Sequence, residues 1–550
     1  MFKSFVSFVL FFSASFAAFG AHPKIARDLE GVDPTSTVDV IIQYKQAPTA
    51  AHHHKVLTRG GQFKRDLSVI KAGHYAVPAS ALGELANDPE VVAISPDRQV
   101  QGALSTAKYT INADKAFYSG FDGTGIGVAV IDSGIISSKD FNLKSSTQSR
   151  IVYSESFNGS SATDQYGHGT HVAGIIGGNS ASAGESSTHY WGIAQNANLI
   201  NLRVLDQSGL GTDSQVIAAI QRAIQLKAQY NIRVINLSLG RPVAVSYQLD
   251  PLCQAVEQAW KAGITVVVAA GNFGRLDVGG TAGYGTITAP GNDPYVITVG
   301  AMNMKGTTTR IDDVLASYSS KGPTGIDHIV KPDLVAPGNL IASVRAPGST
   351  LDGLFPQNQV SAGGSTPAYF RLSGTSMAAP MVSGTAALML QQDSTLTPDQ
   401  VKARLMKTAT KSFPAFSTAT DPLTGINYTS EYDIFTIGAG YLDAWAALNN
   451  TDRATAPALS PSATFNASTN TVSVVLPSGV IWGTGVIWGT GIVWGTNVFV
   501  NGTGLVWGSG VIWGTSNTPS ATGIIWGTGI IWGTGVVWGD IATVAPYGEQ

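Results

Sequence analysis

The sequence is poor in cysteine, in charge and in long apolar runs. Cys253 is the single cysteine among 550 residues, so no disulfide can close within the chain and no multi-cysteine metal site can form. Its apolar setting before Ala255-Val256 reads as that of a buried small hydrophobe rather than a functional thiol. Only 13% of residues are charged and the formal net charge is −3, which gives neither the basic face that nucleic acid requires nor a strong acidic field. No nucleic-acid partner is expected. No uninterrupted apolar stretch reaches the roughly 18 residues of a membrane-spanning helix. What the chain does have is 44% hydrophobic residues, enough for a large core and for several domains.

At the start, Lys3 precedes the apolar run at 5–12, and Ala18-Phe19-Gly20 fits a small-residue cleavage site. Residues 1–20 therefore read as a signal peptide, and the chain as secreted. From 38 to 100 the pattern is strand (38–44), helical stretch to about Arg65, hairpin (67–77), short helix (80–86) and closing strand (91–94). That β-α-β-β-α-β order suits a small open-faced α+β sandwich. Between about 111 and 448, short apolar strands at 127–131, 199–204, 234–238, 265–269 and 295–299 alternate with helical stretches such as 213–227 and 252–262. Near-continuous Val/Ile/Ala runs of this kind fit an α/β domain with a mainly parallel sheet buried on both faces, whose sites form beyond the carboxyl ends of the strands.

Three segments carry chemistry. Val128-Ala129-Val130-Ile131-Asp132-Ser133-Gly134 is an apolar strand ending in a carboxylate. Gly167-His168-Gly169-Thr170-His171-Val172-Ala173-Gly174 opens a helix with a glycine-flanked imidazole, and Ser373-Gly374-Thr375-Ser376-Met377-Ala378-Ala379-Pro380 places a hydroxyl at the mouth of a small-residue helix. Serine is a weak nucleophile unless an imidazole takes its proton and a third group holds that imidazole in the right tautomer. Asp132, His168 and Ser376 supply those roles. Developing charge on the attacked carbonyl needs aligned donors, for which the candidates are the Ser376 backbone N–H and the side chain of Asn272, at the end of Val268-Ala269-Ala270-Gly271-Asn272. Taken singly, such a serine is an N-cap, such an aspartate a turn residue and such a histidine a packing residue. Four of them in one order, each at a strand or helix end, argue for catalysis. His171, three residues further along the helix, is expected to face the core or a neighbouring helix rather than the cleft and reads as structural.

On Val130-Ile131-Asp132-Ser133-Gly134, the Gly167–Gly174 motif and Gly374-Thr375-Ser376-Met377-Ala378-Ala379-Pro380, the chain resembles the subtilisin-like serine peptidases, or subtilases. The Asp…His…Ser order is theirs, and the likeness covers about 114 to 447. It implies a secreted serine endopeptidase with a subtilisin-like three-layer fold, in which Asp132 orients, His168 shuttles the proton, Ser376 attacks and Asn272 donates to the oxyanion. It further implies that Ser208, Gly209, Leu210 and Gly211 on one side, and Ser238, Leu239 and Gly240 on the other, are extended edges that sandwich the substrate backbone. Ala269, Ala270 and Gly271 would line part of the first specificity pocket. Residues 38–100 resemble the family's inhibitory prodomain, cut away between Gln99 and Ala107. Partners are then protein or peptide substrates and the chain's own prodomain. The chemistry needs no cofactor. Many subtilases hold structural Ca²⁺, and Asp140 lies near the family's calcium aspartate, one residue short in its spacing from Asp132; the metal ligands stay open.

The remainder departs from that family. A Pro/Ala/Ser/Thr-rich linker is expected over 451–470, and from Val480 a hexapeptide repeats, with tryptophan at 482, 488, 494, 507, 513, 526, 532 and 538. No charged residue occurs between Arg453 and Asp540. An extended chain would set every tryptophan on one face, whereas turns at Gly-Thr-Gly would make each Val-Ile-Trp a rung of a solenoid. Such a row could contact glycan or a cell surface, self-associate, or simply pack as a β-rich core. The chain thus divides into a signal peptide (1–20), prodomain (21–104), peptidase domain (105–450), linker (451–470) and Trp-rich repeat (471–550). A rival from another class is a surface-binding or assembly protein whose repeat is the main function and whose peptidase domain only processes the precursor.

Overall fold

The structure, a computed structural model, describes residues 22–475 apart from 27–28, 30–31, 68–70, 97–102, 160, 187, 276–281, 363–365 and 467–470; beyond 475 it describes 499–500, 503–504, 511–513, 524–526 and Glu549. The expected signal peptide and most of the expected cleavage stretch and tryptophan repeat lie outside the described residues. The chain divides into a unit up to Val100 and a second from Gln101.

In the first unit, β1 (Thr37–Tyr44), α1 (Ala50–Leu57), β2 (Gln62–Leu67), β3 (Ala72–Pro78), α2 (Leu82–Ala86) and β4 (Val91–Pro96) make an antiparallel sheet in the order β2-β3-β1-β4. Alternate residues Val40, Ile42 and Tyr44 of β1 are buried with Val56, Tyr75, Val77, Leu82, Leu85 and Ile94, the period of a half-buried strand. The helical stretch expected to reach Arg65 instead stops at Leu57. Gly60 takes φ +80°, and the Gly61 N–H closes on the Val56 carbonyl at 3.1 Å, a turn that glycine permits at no steric cost. The strand that follows is almost wholly exposed, so it carries no buried alternation for a pattern to reveal.

In the second unit, α3 (Ala103–Thr110) and α4 (Ala113–Tyr118) lead into β5 (Gly127–Asp132), β6 (Ile151–Ser156), α5 (His168–Gly177), β7 (Asn198–Arg203), α6 (Asp213–Tyr230), β8 (Ile232–Leu237), α7 (Pro251–Lys261), β9 (Thr265–Ala269), β10 (Ile297–Asn303), β11 (Val314–Leu315), β12 (Leu334–Pro337), α8 (Thr350–Leu354) and α9 (Thr375–Gln392). The sheet runs β11-β10-β9-β8-β5-β7-β6, with β12 also on β10, and every pairing but that of β11 is parallel. Every residue of β5 and β9 is buried, so both faces of the sheet are covered, with α6 packed on α7 and α5 on α9. The five strands read from apolar runs are present. β6, β11 and β12 were not legible: the first is only half-buried, the others are two and four residues long. Cys253 is buried in α7, its thiol 3.3 Å from Asn292 Oδ1. Among the described residues no helix is long and apolar enough to cross a membrane.

The stretch read as a linker packs onto this unit instead. Ser460 Oγ donates to Asp333 Oδ1 at 2.5 Å, the Val330 N–H donates to the Pro461 carbonyl, and Ser462–Asn466 pairs with Thr471–Val475 as an antiparallel hairpin. The reason lies inside the core. Asp333 is buried between Lys331 (2.7 Å) and Lys402 (3.3 Å), and a buried ionic cluster holds only if its remaining bonds are satisfied. Lys402 Nζ also donates to Ser460 Oγ at 2.9 Å. Beyond this hairpin, Val511–Trp513 pairs in parallel with Ile524–Trp526, setting Trp513 opposite Trp526.

Candidate active site

β9, β8 and β5 are neighbours in the sheet, so their carboxyl ends set Asn272, Ser238 and Asp132 in a row along one edge. Asp132, the last residue of β5, is buried; its Oδ1 lies 2.7 Å from His168 Nδ1 and accepts the Ser133 N–H at 2.7 Å. A carboxylate only accepts, so Nδ1 carries the imidazole proton and Nε2 keeps its lone pair. Nε2 is buried and has no protein partner among the described residues. Gly169 makes this approach feasible: a Cβ there would stand 2.3 Å from the Gly134 carbonyl and 3.1 Å from Asp132 Cβ.

Sequence reasoning missed the residue that seats His168. Asp164, wholly buried, accepts the Gly167 N–H (2.7 Å) and the Ser133 hydroxyl (2.8 Å) on Oδ1, and the Thr170 N–H (2.9 Å) on Oδ2. Ser133 Oγ in turn accepts the Gly169 N–H at 2.8 Å. Asp164 and the Ser133 hydroxyl it holds thus take the N–H groups of Gly167, Gly169 and Thr170 at the start of α5 and tie that helix to the end of β5. The only signal in the sequence was an aspartate four residues before the histidine.

Ser376 is the second residue of α9. Its Oγ donates to the Ser238 carbonyl at 3.1 Å, while Ser238 Oγ donates to the Ser376 carbonyl at 2.8 Å. The hydroxyl is therefore parked beside the imidazole helix rather than bonded to His168. Asn272 is locked by its oxygen: Oδ1 accepts both the Thr375 N–H (2.9 Å) and the Thr375 hydroxyl (3.0 Å), and Thr375 Oγ1 accepts the Gly271 N–H at 3.1 Å. With a backbone N–H donating to it, that atom must be the oxygen, and Nδ2 is left free to donate. Gly374 has φ +153° and would bring a Cβ within 3.2 Å of Nδ2, so glycine keeps that amide uncovered.

The electrostatics separate the two histidines. Burial alone would lower the His168 pKa, but the charge and hydrogen bond of Asp132, with Asp164 behind, outweigh it and raise it above the ordinary 6.5. Burial lowers His171 to about 3, with the His168 charge adding to the effect. His171 stays neutral and its Nε2 lies 3.0 Å from the carbonyls of both Ile341 and Phe370, away from the catalytic cluster.

Gly209 and Gly211 face Leu239 and Gly240 across a cavity of ≈ 620 Å³ that Leu205, Val216 and Leu252 also line. Ser208 and Gly209 do not form the expected extended edge. Asp206 closes them into a turn by accepting the N–H groups of Ser208 (2.7 Å) and Leu210 (3.0 Å) on its carboxylate and that of Gly209 on its carbonyl. Ala269 and Ala270 are fully buried, so they support the wall below Asn272 rather than offer surface to a ligand. The next wall, Phe273 and Thr286–Thr288, was not read from the sequence.

The surroundings of Asp140 do not fit calcium. Its Oδ1 accepts the Ser182 N–H (3.1 Å) and the Tyr369 hydroxyl (3.3 Å). Beside it, the buried Arg150 guanidinium takes the carbonyls of Asp140, Asn142, Gly177 and Ala197 at 2.8, 3.2, 2.6 and 2.9 Å. Burial lowers Arg150 only to about 10, so a side-chain cation already holds oxygens of the kind Ca²⁺ would use. Among the described residues, no three His, Cys, Asp or Glu converge elsewhere.

An imidazole held by a buried carboxylate, a serine at a neighbouring helix mouth and an uncovered amide donor define a serine peptidase. Residues 123–426 match the model of the subtilase family. Serine protease AprX of Bacillus subtilis (strain 168) is 40% identical over 324 residues, 57% of this chain and 68% of that protein. Subtilisin DY of Bacillus licheniformis is 36% identical over 306 residues (56% and 91%), and subtilisin E of Bacillus subtilis (strain 168) 33% over 378 (67% and 84%). The chain belongs to the subtilase family. Its second unit has the subtilisin-like fold, and its activity is that of a serine endopeptidase acting on protein substrates.

Proposed function

We propose that this subtilase is a secreted, self-processing endopeptidase that works through an acyl-enzyme on Ser376. The observation that carries this reading is the 2.7 Å bond between Asp132 and His168 Nδ1, which leaves the His168 Nε2 lone pair without a protein partner among the described residues. A rotation of the Ser376 side chain turns its O–H from the Ser238 carbonyl toward Nε2. As Oγ attacks the substrate carbonyl carbon, Nε2 takes that proton, Asp132 stabilises the imidazolium, and the oxyanion receives the Asn272 Nδ2–H and the Ser376 N–H. Collapse breaks the C–N bond, and Nε2 returns the proton to the leaving amine. Water repeats the sequence to release the acid and restore Ser376. No cofactor enters.

The large apolar cavity supports a substrate side chain of apolar character at a position away from the cut bond. The β-α-β-β-α-β unit up to Val100 supports the prodomain reading, and the apolar run after Lys3 supports export. A fluorophosphonate reagent tests the nucleophile directly. It should add its mass once, on the peptide containing Ser376, and stop hydrolysis of casein; labelling elsewhere with activity lost would overturn the assignment.

Asn272→Ala should lower kcat by roughly 10²–10³-fold with KM little changed, the range known for removing one oxyanion donor in subtilisin rather than a figure derived from this geometry. Its melting temperature should stay close to that of the parent. A KM effect of that size with kcat intact would remove Asn272 from the oxyanion site.

A further inference from the structure

Beyond the tryptophan repeat, one glutamate is locked into the peptidase unit. Glu549 is 1% exposed. Its carboxylate accepts the Ser317 backbone N–H (2.9 and 3.1 Å), the Ser317 hydroxyl, and Arg275 Nη2 at 2.8 Å. Its main chain is gripped as well. The Asn339 amide takes the Glu549 N–H on Oδ1 (2.9 Å) and gives Nδ2 to the Glu549 carbonyl (2.7 Å), as a neighbouring strand would, and Asn303 Nδ2 adds a third bond at 3.1 Å.

The receiving side is rigid. Arg275 lies over the rings of Tyr318 (5.9 Å) and Tyr428 (5.5 Å), donates Nε to Ser317 Oγ at 2.7 Å, and pairs Nη1 with Asp421 at 2.9 Å. Lys321, fully buried, donates to the Ser317 carbonyl at 3.3 Å and adds a second positive charge. Asn303 ends β10 and Asn339 follows β12, so two adjacent strands supply the amides. The same segment braces the serine loop: Gly338 accepts the Gly374 N–H at 2.8 Å, and the Leu340 N–H donates to Ser373 Oγ at 2.8 Å.

We propose that Arg275, Asn303, Ser317 and Asn339 form a glutamate-recognition site whose occupant is Glu549 of the same chain. The two amides read a peptide backbone, and Arg275 with the Ser317 N–H reads a carboxylate on a two-carbon arm. Aspartate would fall a methylene short, and glutamine would lose the charge on Arg275. Unfilled, the site deprives the Ser317 N–H, the Asn339 amide and Asn303 Nδ2 of their Glu549 partner, a costly state. Filled, it ties the segment after the repeat to the same unit that holds the hairpin before it. The repeat is thereby fastened at both ends, and this does not rest on the catalytic reading.

The test uses the full chain carrying Ser376→Ala to prevent self-digestion. Glu549→Ala should lower the melting temperature by about 4 °C and Glu549→Gln by less. A synthetic peptide of residues 541–550 at millimolar concentration should restore the Glu549→Ala chain, and the same peptide with alanine in place of glutamate should not. An unchanged melting temperature in Glu549→Ala, or a response that does not distinguish the two peptides, overturns the proposal.

Discussion

Ser376→Ala should reduce kcat on an unfolded protein by roughly 10⁶-fold, the magnitude known for nucleophile removal in subtilisin and not one derived from the present geometry. The substitution deletes one oxygen and nothing else of consequence. Ser376 Oγ makes a single bond, to the Ser238 carbonyl, and losing a bond of that kind costs about 1 kcal/mol. The Ser238 hydroxyl still holds the Ser376 carbonyl, so α9 keeps its place and the melting temperature should hardly move. The acyl-enzyme, by contrast, cannot form at all. Under the proposed self-processing, the intact mass of the purified variant should include the first unit and that of the parent should not. Hydrolysis that survives in the purified variant, at more than a thousandth of the parent rate, would sink the mechanism.

Asp132→Asn should be the next most damaging change, with kcat/KM down roughly 10⁴-fold. In this geometry both bonds to the Asp132 carboxylate among the described residues fall on Oδ1, from His168 and from the Ser133 N–H. An amide oxygen can keep them, and its NH₂ then occupies the buried, unpartnered position of Oδ2. The missing charge matters most, because a neutral amide cannot stabilise the imidazolium formed when Ser376 gives up its proton. The pH profile carries the diagnostic sign. The base must be neutral, so the rate climbs as pH rises through the His168 pKa, and in the parent that limb should centre above 6.5 because Asp132 raises it. In Asp132→Asn the larger raising influence is gone and only that of Asp164 still opposes burial, so the limb should move to lower pH. A limb that stays in place while activity falls would show that Asp132 acts only by packing.

The proposed catalytic constellation could be read from the sequence because each of its parts is announced by its immediate neighbours. Asp132 ends an apolar strand, Gly167 and Gly169 flank His168, and small residues follow Ser376; strand ends, close approaches and helix mouths are local needs met by local residue types. Asn272 was proposed for the same reason. The expectation for Ser208 and Gly209 failed because a side chain two positions away, Asp206, competes for their N–H groups, a local bond that glycine content does not reveal.

The sequence alone thus determined the subtilase family, the serine-peptidase class and the alternation of strands and helices in the second unit, and it offered Asp132, His168 and Ser376 for the proposed roles. Tertiary structure decided what supports them. Asp164 gathers donors from Ser133, Gly167 and Thr170 around His168, Arg150 fills a cage of four carbonyls near Asp140, Ser460 of the stretch read as a linker closes an ionic cluster, and Glu549 finds Ser317, Arg275 and Asn339 from the far side of the repeat. The physical reason is common to all four. A buried polar group must be satisfied, but any donor or acceptor that folding brings within 3 Å or so will serve. The need is written in a residue's type, while the partner is chosen only when distant segments close around it.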